Sequence, residues 1–302
     1  MRVFVTGASG WIGSAVVPEL IGAGHDVVGL ARSEASAAAL AAAGAAVVNG
    51  TLDDLEVLHT AAAESDGVVH LAFKHEWMQT GDFKGAAEAD RRAIEAFGEA
   101  LAGSNRPLVI ASGTLGVAPG RVATEADGHG ESDGSGFSAR QATAEFTLSL
   151  ASRDVRSSVL RLPPTVHAAG DHGFIPTLIG IARDKGTSGY IGDGENRWPA
   201  VHRLDAARLF RLALEAAPAG STLHAVADEG VATRSIAETF GRHLNVPVLS
   251  VSPDDAAEHF AWLAGIFGGD GPASSAYTRE LLGWQPTQPA LIEDLEQGHY
   301  FA

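Results

Sequence analysis

The stretch TGASGWIG, residues 6–13, sets Gly7, Gly10 and Gly13 between an apolar β-branched run and a helical pattern. A strand that turns directly into a helix needs a tight turn at the first glycine and open backbone at the second. At the third it needs close helix–strand packing, and the helix N-terminus then faces a phosphate. The surrounding pattern agrees. The runs RVFVTG, HDVVGLA, AAVV, GVVHLAF, RPLVIAS and VRSSVLRL alternate with helical patterns over Trp11–Ala23, Glu34–Ala43, Ala86–Ala102 and the segment opened by GFSARQATAEF. This alternation predicts a six-stranded, doubly wound parallel α/β sheet, a Rossmann arrangement of two mononucleotide-binding halves. Beyond Pro163 the pattern loosens into a helix at Leu204–Ala217, a short strand at Leu223–Val226 and further helices. The expected organisation is a dinucleotide-binding domain over 1–165, with parts of 200–230 interleaved, and a smaller substrate-binding domain mainly over 166–302.

Composition narrows the function. Acidic side chains outnumber basic ones by 37 to 21, a formal charge of −16, so the chain lacks the basic footprint of a nucleic-acid binder. The absence of cysteine excludes disulfides, thiolate metal sites and a cysteine nucleophile. No His-Glu-x-x-His or Gly-x-Ser-x-Gly pattern occurs, so neither a metal site nor a serine-hydrolase elbow is expected. The longest apolar stretch, Ala35–Val48, is alanine-rich and too short to span a bilayer, and Arg2–Val5 already reads as a strand with no basic-then-apolar leader before it. A cytoplasmic protein without membrane contact is expected. The polar run EADGHGESDGSG, residues 125–136, reads as a flexible lid or linker.

The glycine loop resembles that of the extended short-chain dehydrogenase/reductase superfamily, the NAD(P)-dependent epimerase/dehydratase group. HLAF after the fourth strand, ASGTLG after the fifth, RLPPTVHAAGDHGF and GDGENRWPAVHRLDAARL carry the likeness through residue 209. The resemblance implies cofactor contacts from Gly7, Ser9, Gly10, Trp11, Ile12 and Gly13, from Thr51 and Leu52 after the third strand, from Leu71, Ala72, Phe73 and Lys74 after the fourth, and from Gln141 and Pro163. After the second strand, where an acid would accept the adenosine ribose hydroxyls, LARSEAS offers Arg32 and Ser33 instead. A cation plus a hydroxyl suits a ribose phosphate, which favours NADP(H) over NAD(H), while Glu34 one residue later keeps NAD(H) open. Asp53 and Asp54 read as caps of the next helix.

The chain departs from the family at its reactive pair. Aligning Ala144-Glu145 with the family's Ala-Glu puts Phe137 at the catalytic tyrosine and Gln141 at the lysine that lowers the phenol pKa. Sliding the alignment by one gives Gly136 with Arg140, or Ser138 with Ala142. Tyr190, Tyr277 and Tyr300 are the only tyrosines. Ser112 stands at the family's substrate-orienting serine, with Thr114 two residues on. His75, in the loop FKHEW at the carboxyl edge of the sheet, has a suitable range for proton transfer, with Lys74 beside it for phosphate or ribose oxygens. His172 and Tyr190 are alternatives, and His70 reads as a core histidine. Trp198, Trp262, Phe260, Phe267 and Trp284 either line an apolar pocket or form core.

The resulting expectation is an NADP(H)-dependent oxidoreductase that transfers hydride to a small or medium apolar carbonyl, or a related C=N or C=C group, with a proton donor other than the usual tyrosine. The rivals are a nucleotide-sugar epimerase or dehydratase, for which Arg183, Arg197 and Arg203 are the available diphosphate grips, and a non-catalytic NADP(H)-binding regulator. The family likeness implies a homodimer through the helices Ala86–Ala102 and Phe137–Ala151.

Overall fold

Alternate residues of each strand feed opposite faces of a single sheet, and this alternation builds two separate cores. In β1 (Arg2–Thr6), Val3 and Val5 point to one side and Phe4 to the other. On the first side, Val69, Val109 and Leu160 continue the layer, covered by α1 (Gly13–Gly22) and by Phe210 and Leu214 of α7 (Arg203–Ala216). On the second, Val28, Val68, Leu108 and Ile110 pack under Ile94 and Phe97 of α4 (Phe83–Leu101) and Ala144 of α5 (Gly136–Ser149). A strand buried on both faces reads as a continuous apolar run, which is why these strands were legible. The computed structural model describes residues 1–75, 82–128 and 136–302, side chains 136–138 excepted.

The remaining strands of this sheet are β2 (Asp26–Ala31), β3 (Ala46–Asn49), β4 (Gly67–His70), β5 (Pro107–Gly113), β6 (Arg156–Leu162) and β10 (Ser221–His224), with α2 (Glu34–Ala42) and α3 (Leu55–Ala63) as connections. The spatial order is β3-β2-β1-β4-β5-β6-β10, and every pairing within it is parallel. The sheet thus has seven strands rather than the expected six, because β10 adds beside β6 after a long excursion. The order reverses between β1 and β4, the point where ligands bind in open α/β sheets.

The excursion from β6 to β10 and the C-terminal segment form a second layer. It holds a three-stranded sheet, β11 (Asp228–Ala232), β9 (Arg197–His202) and β7 (Thr165–His167), and a two-stranded one, β12 (Val248–Val251) with β8 (Ser188–Ile191). Helices α6 (Phe174–Lys185) and α8 (Thr233–Leu244) and the short α9 (Ala256–Phe260), α10 (Ala264–Phe267), α11 (Ala276–Leu282) and α12 (Leu291–Glu296) complete it. Its core contains Trp198, Phe240, Phe260 and Phe267. Phe260, Phe267, Trp198 and Trp284 are all buried, so four of the five candidate pocket aromatics are core, and only Trp262 is exposed, at 64%.

The two layers are stitched by buried polar groups. Asp205 on α7 accepts from the backbone N–H groups of Thr287 and Gln288, both at 3.0 Å, while the Trp284 indole donates to the Asp205 carbonyl at 3.0 Å. The polar run is anchored at its start, residues 125–128. Glu125 accepts from the N–H and hydroxyl of Thr278 at 2.9 and 2.6 Å, and the fully buried Arg161 donates to the Asp127 carbonyl at 2.9 Å. The expectation of a lid over 125–136 is therefore corrected at 125–128, which are anchored. Residues 129–135 lie outside the described ones.

Replacing Asp205 by Ala deletes the acceptor of two part-buried N–H groups. Urea unfolding should register a loss of about 2–4 kcal/mol, with the C-terminal segment 284–302 gaining the most in amide exchange. An unchanged midpoint would show that the 284–288 turn is held by other contacts.

Candidate active site

The glycine loop closes on itself with no room for side chains at two of its three glycines. Gly7 has φ +64°, and a Cβ there would lie 2.7 Å from Ala72 N and 2.8 Å from Leu71 C. At Gly13 a Cβ would lie 2.1 Å from the Gly7 carbonyl oxygen and 2.7 Å from Ala8 Cα. Gly10 is looser, 3.2 Å from the same oxygen, and its N–H donates to Gly7 O at 2.9 Å. Ser9 and Gly10 are exposed, and Ile12 packs against the first core. These contacts leave the N-terminus of α1 bare, and residues 7–13 form a cradle that fits the pyrophosphate of a dinucleotide.

Beneath the loop runs a buried relay. The Asp90 carboxylate on α4 accepts from His70 Nε2 at 3.0 Å, which leaves His70 Nδ1 to accept from the Thr6 hydroxyl at 2.7 Å. Thr6 Oγ1 in turn accepts from Ala72 N at 3.3 Å. The relay fixes Leu71 and Ala72 against Gly7, and His70 is the satisfied core histidine expected.

On the β2–β3 side of the loop, Arg32 and Ser33 are exposed at the end of β2. Ser33 caps α2, its hydroxyl accepting from Ser36 N at 3.2 Å. Thr51 is exposed and Leu52 buried. The expectation that Asp53 and Asp54 cap α3 is corrected. Asp54 holds the N-cap position, yet its carboxylate turns back to the N–H and hydroxyl of Thr51 at 2.7 and 2.9 Å, and these bonds hold it below the usual carboxylate range. Asp53 binds Lys74 Nζ at 2.6 Å, so the lysine charge is matched within the protein.

On the β4–β5 side, Phe73 is half-buried and His75 exposed, their rings 5.2 Å apart. Ser112, 8% exposed at the end of β5, has the parity of Leu108 and Ile110 and so faces α5. Thr114 is 3% exposed, and its hydroxyl has no hydrogen-bond partner among the described residues. On α5, Gln141 is half-buried; the side chain of Phe137 lies outside the described residues. Pro163 is buried between β6 and β7.

Two arginines also reach this crevice: Arg140, which the slid alignment set at the lysine position, and Arg203, one of the three candidate diphosphate grips. Arg140 of α5 sits 4.1 Å over the Phe73 ring, with one Nη 3.5 Å from the Ala111 carbonyl. Arg203, at the start of α7, lies 4.2 Å over the Trp11 ring. Burial pulls the pKa of both guanidinium groups down from the ordinary value. Trp11 itself bridges the layers, its indole donating to the Val166 carbonyl at 2.8 Å and His172 standing edge-on at 5.5 Å. The other candidates diverge. Tyr190 lies in the β8–β12 sheet under Arg234. Tyr300 donates to Asp171 at 3.1 Å, and burial together with that carboxylate raises its phenol far above the ordinary range, which makes it a poor acid. Arg197 forms a two-point ion pair with Asp270 at 3.0 and 2.8 Å, and Arg183 donates to the Phe301 carbonyl at 2.8 Å. Among the described residues no cluster of three His, Asp or Glu could hold a metal ion, and no helix is long and apolar enough to cross a membrane.

A parallel sheet with this order and a glycine loop at its switch point, leading from β1 into α1, define a Rossmann-type α/β fold. Residues 3–226 match the NAD dependent epimerase/dehydratase family, and the chain belongs to that family. An uncharacterized protein of Schizosaccharomyces pombe is 49% identical over 302 residues, covering 100% of both chains. A Stigmatella aurantiaca protein, 4-hydroxy-2-methyl-3-oxo-4-farnesyl-3,4-dihydroquinoline-1-oxide ketoreductase, is 28% identical over 273 residues, covering 86% of this chain and 79% of its own. Among solved structures, a double mutant of the dTDP-glucose 4,6-dehydratase DesIV of Streptomyces venezuelae with NAD bound superposes with a TM-score of 0.77. It is 20% identical and covers 100% of this chain and 97% of that one.

Gly13→Ala should displace the loop, since its Cβ cannot coexist with the Gly7 carbonyl. Fluorescence titration should find NAD(P)H affinity reduced by at least about tenfold, with cooperative unfolding retained. Wild-type affinity in this variant would remove residues 7–13 from the cofactor site.

Proposed function

We propose that the protein is an NADP(H)-dependent reductase that transfers hydride to a small or medium apolar carbonyl, or to a related C=N or C=C group. The observation that supports the reading is the glycine loop, where Gly7 and Gly13 have no room for a Cβ and the N-terminus of α1 has no side-chain cap. The cofactor supplies the hydride when bound. Arg32 and Ser33, at the end of β2, are the groups to hold a ribose 2′-phosphate, with Thr51 and Leu52 bounding the adenine. Ser9 and the backbone of Trp11 and Ile12 meet the pyrophosphate. Leu71, Ala72, Phe73 and Pro163 enclose the nicotinamide half, and Gln141 is within the same corner. Ser112 and Thr114 orient the substrate oxygen; the unpartnered Thr114 hydroxyl supports a ligand there, because a buried hydroxyl without a partner costs stability.

An aliphatic hydroxyl is too weak an acid to finish the reaction at neutral pH. His75, exposed above Phe73, is the proton donor in this reading, and His172, beside Trp11, is the alternative. The half-exposed aromatic edge of Phe174 and Trp262, ring centroids 6.0 Å apart, suits an apolar substrate. The relative named as a ketoreductase supports carbonyl reduction. A nucleotide-sugar reaction is less well supported, since of its three candidate diphosphate grips Arg183 and Arg197 are bound by the protein's own oxygens and only Arg203, over Trp11, stands at the crevice. The reading includes a cytoplasmic homodimer formed through α4 and α5, and a monomer in sedimentation at micromolar concentration would refute the dimer.

The decisive experiment is NADPH consumption with a panel of ketones, imines and enones. Turnover on the panel is expected; tight binding without turnover on any member would favour a non-catalytic regulator. Arg32→Ala should weaken NADPH roughly 10- to 100-fold and NADH far less, because only NADPH offers the phosphate. Equal losses for both cofactors would make NAD(H) the natural ligand.

A further inference from the structure

The helix α5 carries neither tyrosine nor lysine, yet it delivers a positive charge to the crevice. Arg140 reaches from α5 to the space between the ends of β4 and β5, where its guanidinium stacks on Phe73 and approaches the Ala111 carbonyl, one residue before Ser112. Its Nε is buried and has no hydrogen-bond partner among the described residues. The contact with Ala111 is long, 3.5 Å, and the aromatic face satisfies charge but not the N–H groups. Such a group is costly to bury unless something else comes to it. Guanidinium stays protonated at neutral pH, so it can neither donate nor accept a proton usefully; what it contributes is a fixed charge.

The topology says what meets that charge. With the pyrophosphate on residues 7–13 at the β1–β4 switch point, the adenosine half extends over β2 and β3, where Arg32 and Thr51 stand. The other half must then extend over β4 and β5. Phe73 is the residue after the Leu71–Ala72 segment that lies against Gly7, so the Arg140 guanidinium stands about one residue's length beyond the loop floor on that side. We propose that Arg140 is a positioning residue that sets its positive charge against the nicotinamide end of the cofactor and thereby makes the protein prefer the reduced over the oxidised form. This inference rests on the reductase reading above.

The physical basis is the charge of the ring. Oxidised nicotinamide carries one positive charge and the dihydropyridine carries none, whereas the phosphates of the two forms are the same. A difference in their affinities therefore reports the surroundings of the ring alone. Asp90 is the carboxylate that acts on Arg140; it also holds His70, so its charge is shared between the two. At a separation of about 12 Å and an effective dielectric of about 20, one cation disfavours the oxidised form by roughly tenfold, and Asp90 offsets part of that.

The test is a pair of fluorescence titrations, NADPH and NADP+, on the purified full-length protein and its variants, with thermal unfolding as the control for folding. Wild type should bind NADPH more tightly. Arg140→Gln should cut that preference by about tenfold, chiefly by strengthening NADP+, and Arg140→Lys should keep most of it. Asp90→Asn keeps an acceptor for His70 and removes the offsetting charge, so it should move the preference in the opposite direction. A residue that merely supports the fold would shift both cofactor forms together in every variant. Unchanged ratios in Arg140→Gln and Asp90→Asn overturn the inference while leaving the cofactor site standing. If Arg140→Gln does not fold, the Asp90→Asn ratio decides alone. Failure of wild type to bind either form, with NADH and NAD+ tried as well, overturns the reductase reading itself.

Discussion

The close approach of the β1 and β4 ends governs the rest of this molecule. Gly7 lies so near the Leu71–Ala72 backbone that a methyl group would overlap it, and one at Gly13 would lie nearer still to the Gly7 carbonyl oxygen, at 2.1 Å. At these two positions the loop can carry no side chain, and the first helix begins directly after it at Gly13. The buried Thr6–His70–Asp90 relay holds the seam from below, linking β1, β4 and α4 in one chain of hydrogen bonds. Hydrogen bonds of this kind add about 1 kcal/mol each, yet leaving one of these buried groups unpaired would cost more, so the relay is fixed as a unit.

From that seam the crevice acquires two sides of different electrostatic character. Toward β2 and β3 the ions are matched inside the protein: Lys74 binds Asp53, with Arg92 3.8 Å from the same carboxylate, and Asp54 is held by Thr51. Toward β4 and β5 the matching is incomplete, with the Arg140 Nε and the Thr114 hydroxyl buried and unpartnered among the described residues. Trp11 marks the boundary. It leaves the glycine loop to bond Val166 and carries Arg203 on its face, so the second layer is keyed to the loop itself.

The sequence made the β1–β6 order and the glycine loop legible, because strands buried on both faces are written as uninterrupted apolar runs and glycines that cannot bear a Cβ keep their spacing. It was silent where contacts come from afar. The sequence marks a short strand at Leu223–Val226 but not its place: Ser221–His224 joins the main sheet as a seventh strand because α7 returns the chain beside β6. Thr165–His167 and Val248–Val251 are likewise set by their partners. Asp54 followed the capping rule in position but not in bonding, since Thr51 offered its carboxylate two donors at once. Trp198, Phe260, Phe267 and Trp284 could have been pocket or core, and composition does not tell these apart; burial does. Arg140 was visible only as a residue displaced by one from an expected lysine, and its significance lies in the Phe73 ring and Ala111 carbonyl that sequence could not bring beside it.

The pattern of satisfied and unsatisfied groups bears on whether the crevice is still a working site. Elsewhere in the fold Asp205 accepts from two backbone N–H groups, His167 pairs with Asp294 at 2.9 Å and Glu125 with Thr278, while Ser158 of β6, Thr165 of β7 and Trp198 of β9 also hold buried polar atoms without a hydrogen-bond partner among the described residues. A protein that used this crevice only as packing would gain stability by replacing Thr114 with valine or Arg140 with methionine, since each buried polar atom without a partner costs about 1–3 kcal/mol. The Arg140 and Thr114 groups lie at the ends of β4 and β5, near Ser112. Local conflicts of this kind concentrate where a ligand completes the bonding. The absence of tyrosine and lysine from α5 leaves Arg140, a permanent cation stacked on Phe73, as the charge this helix brings to the corner.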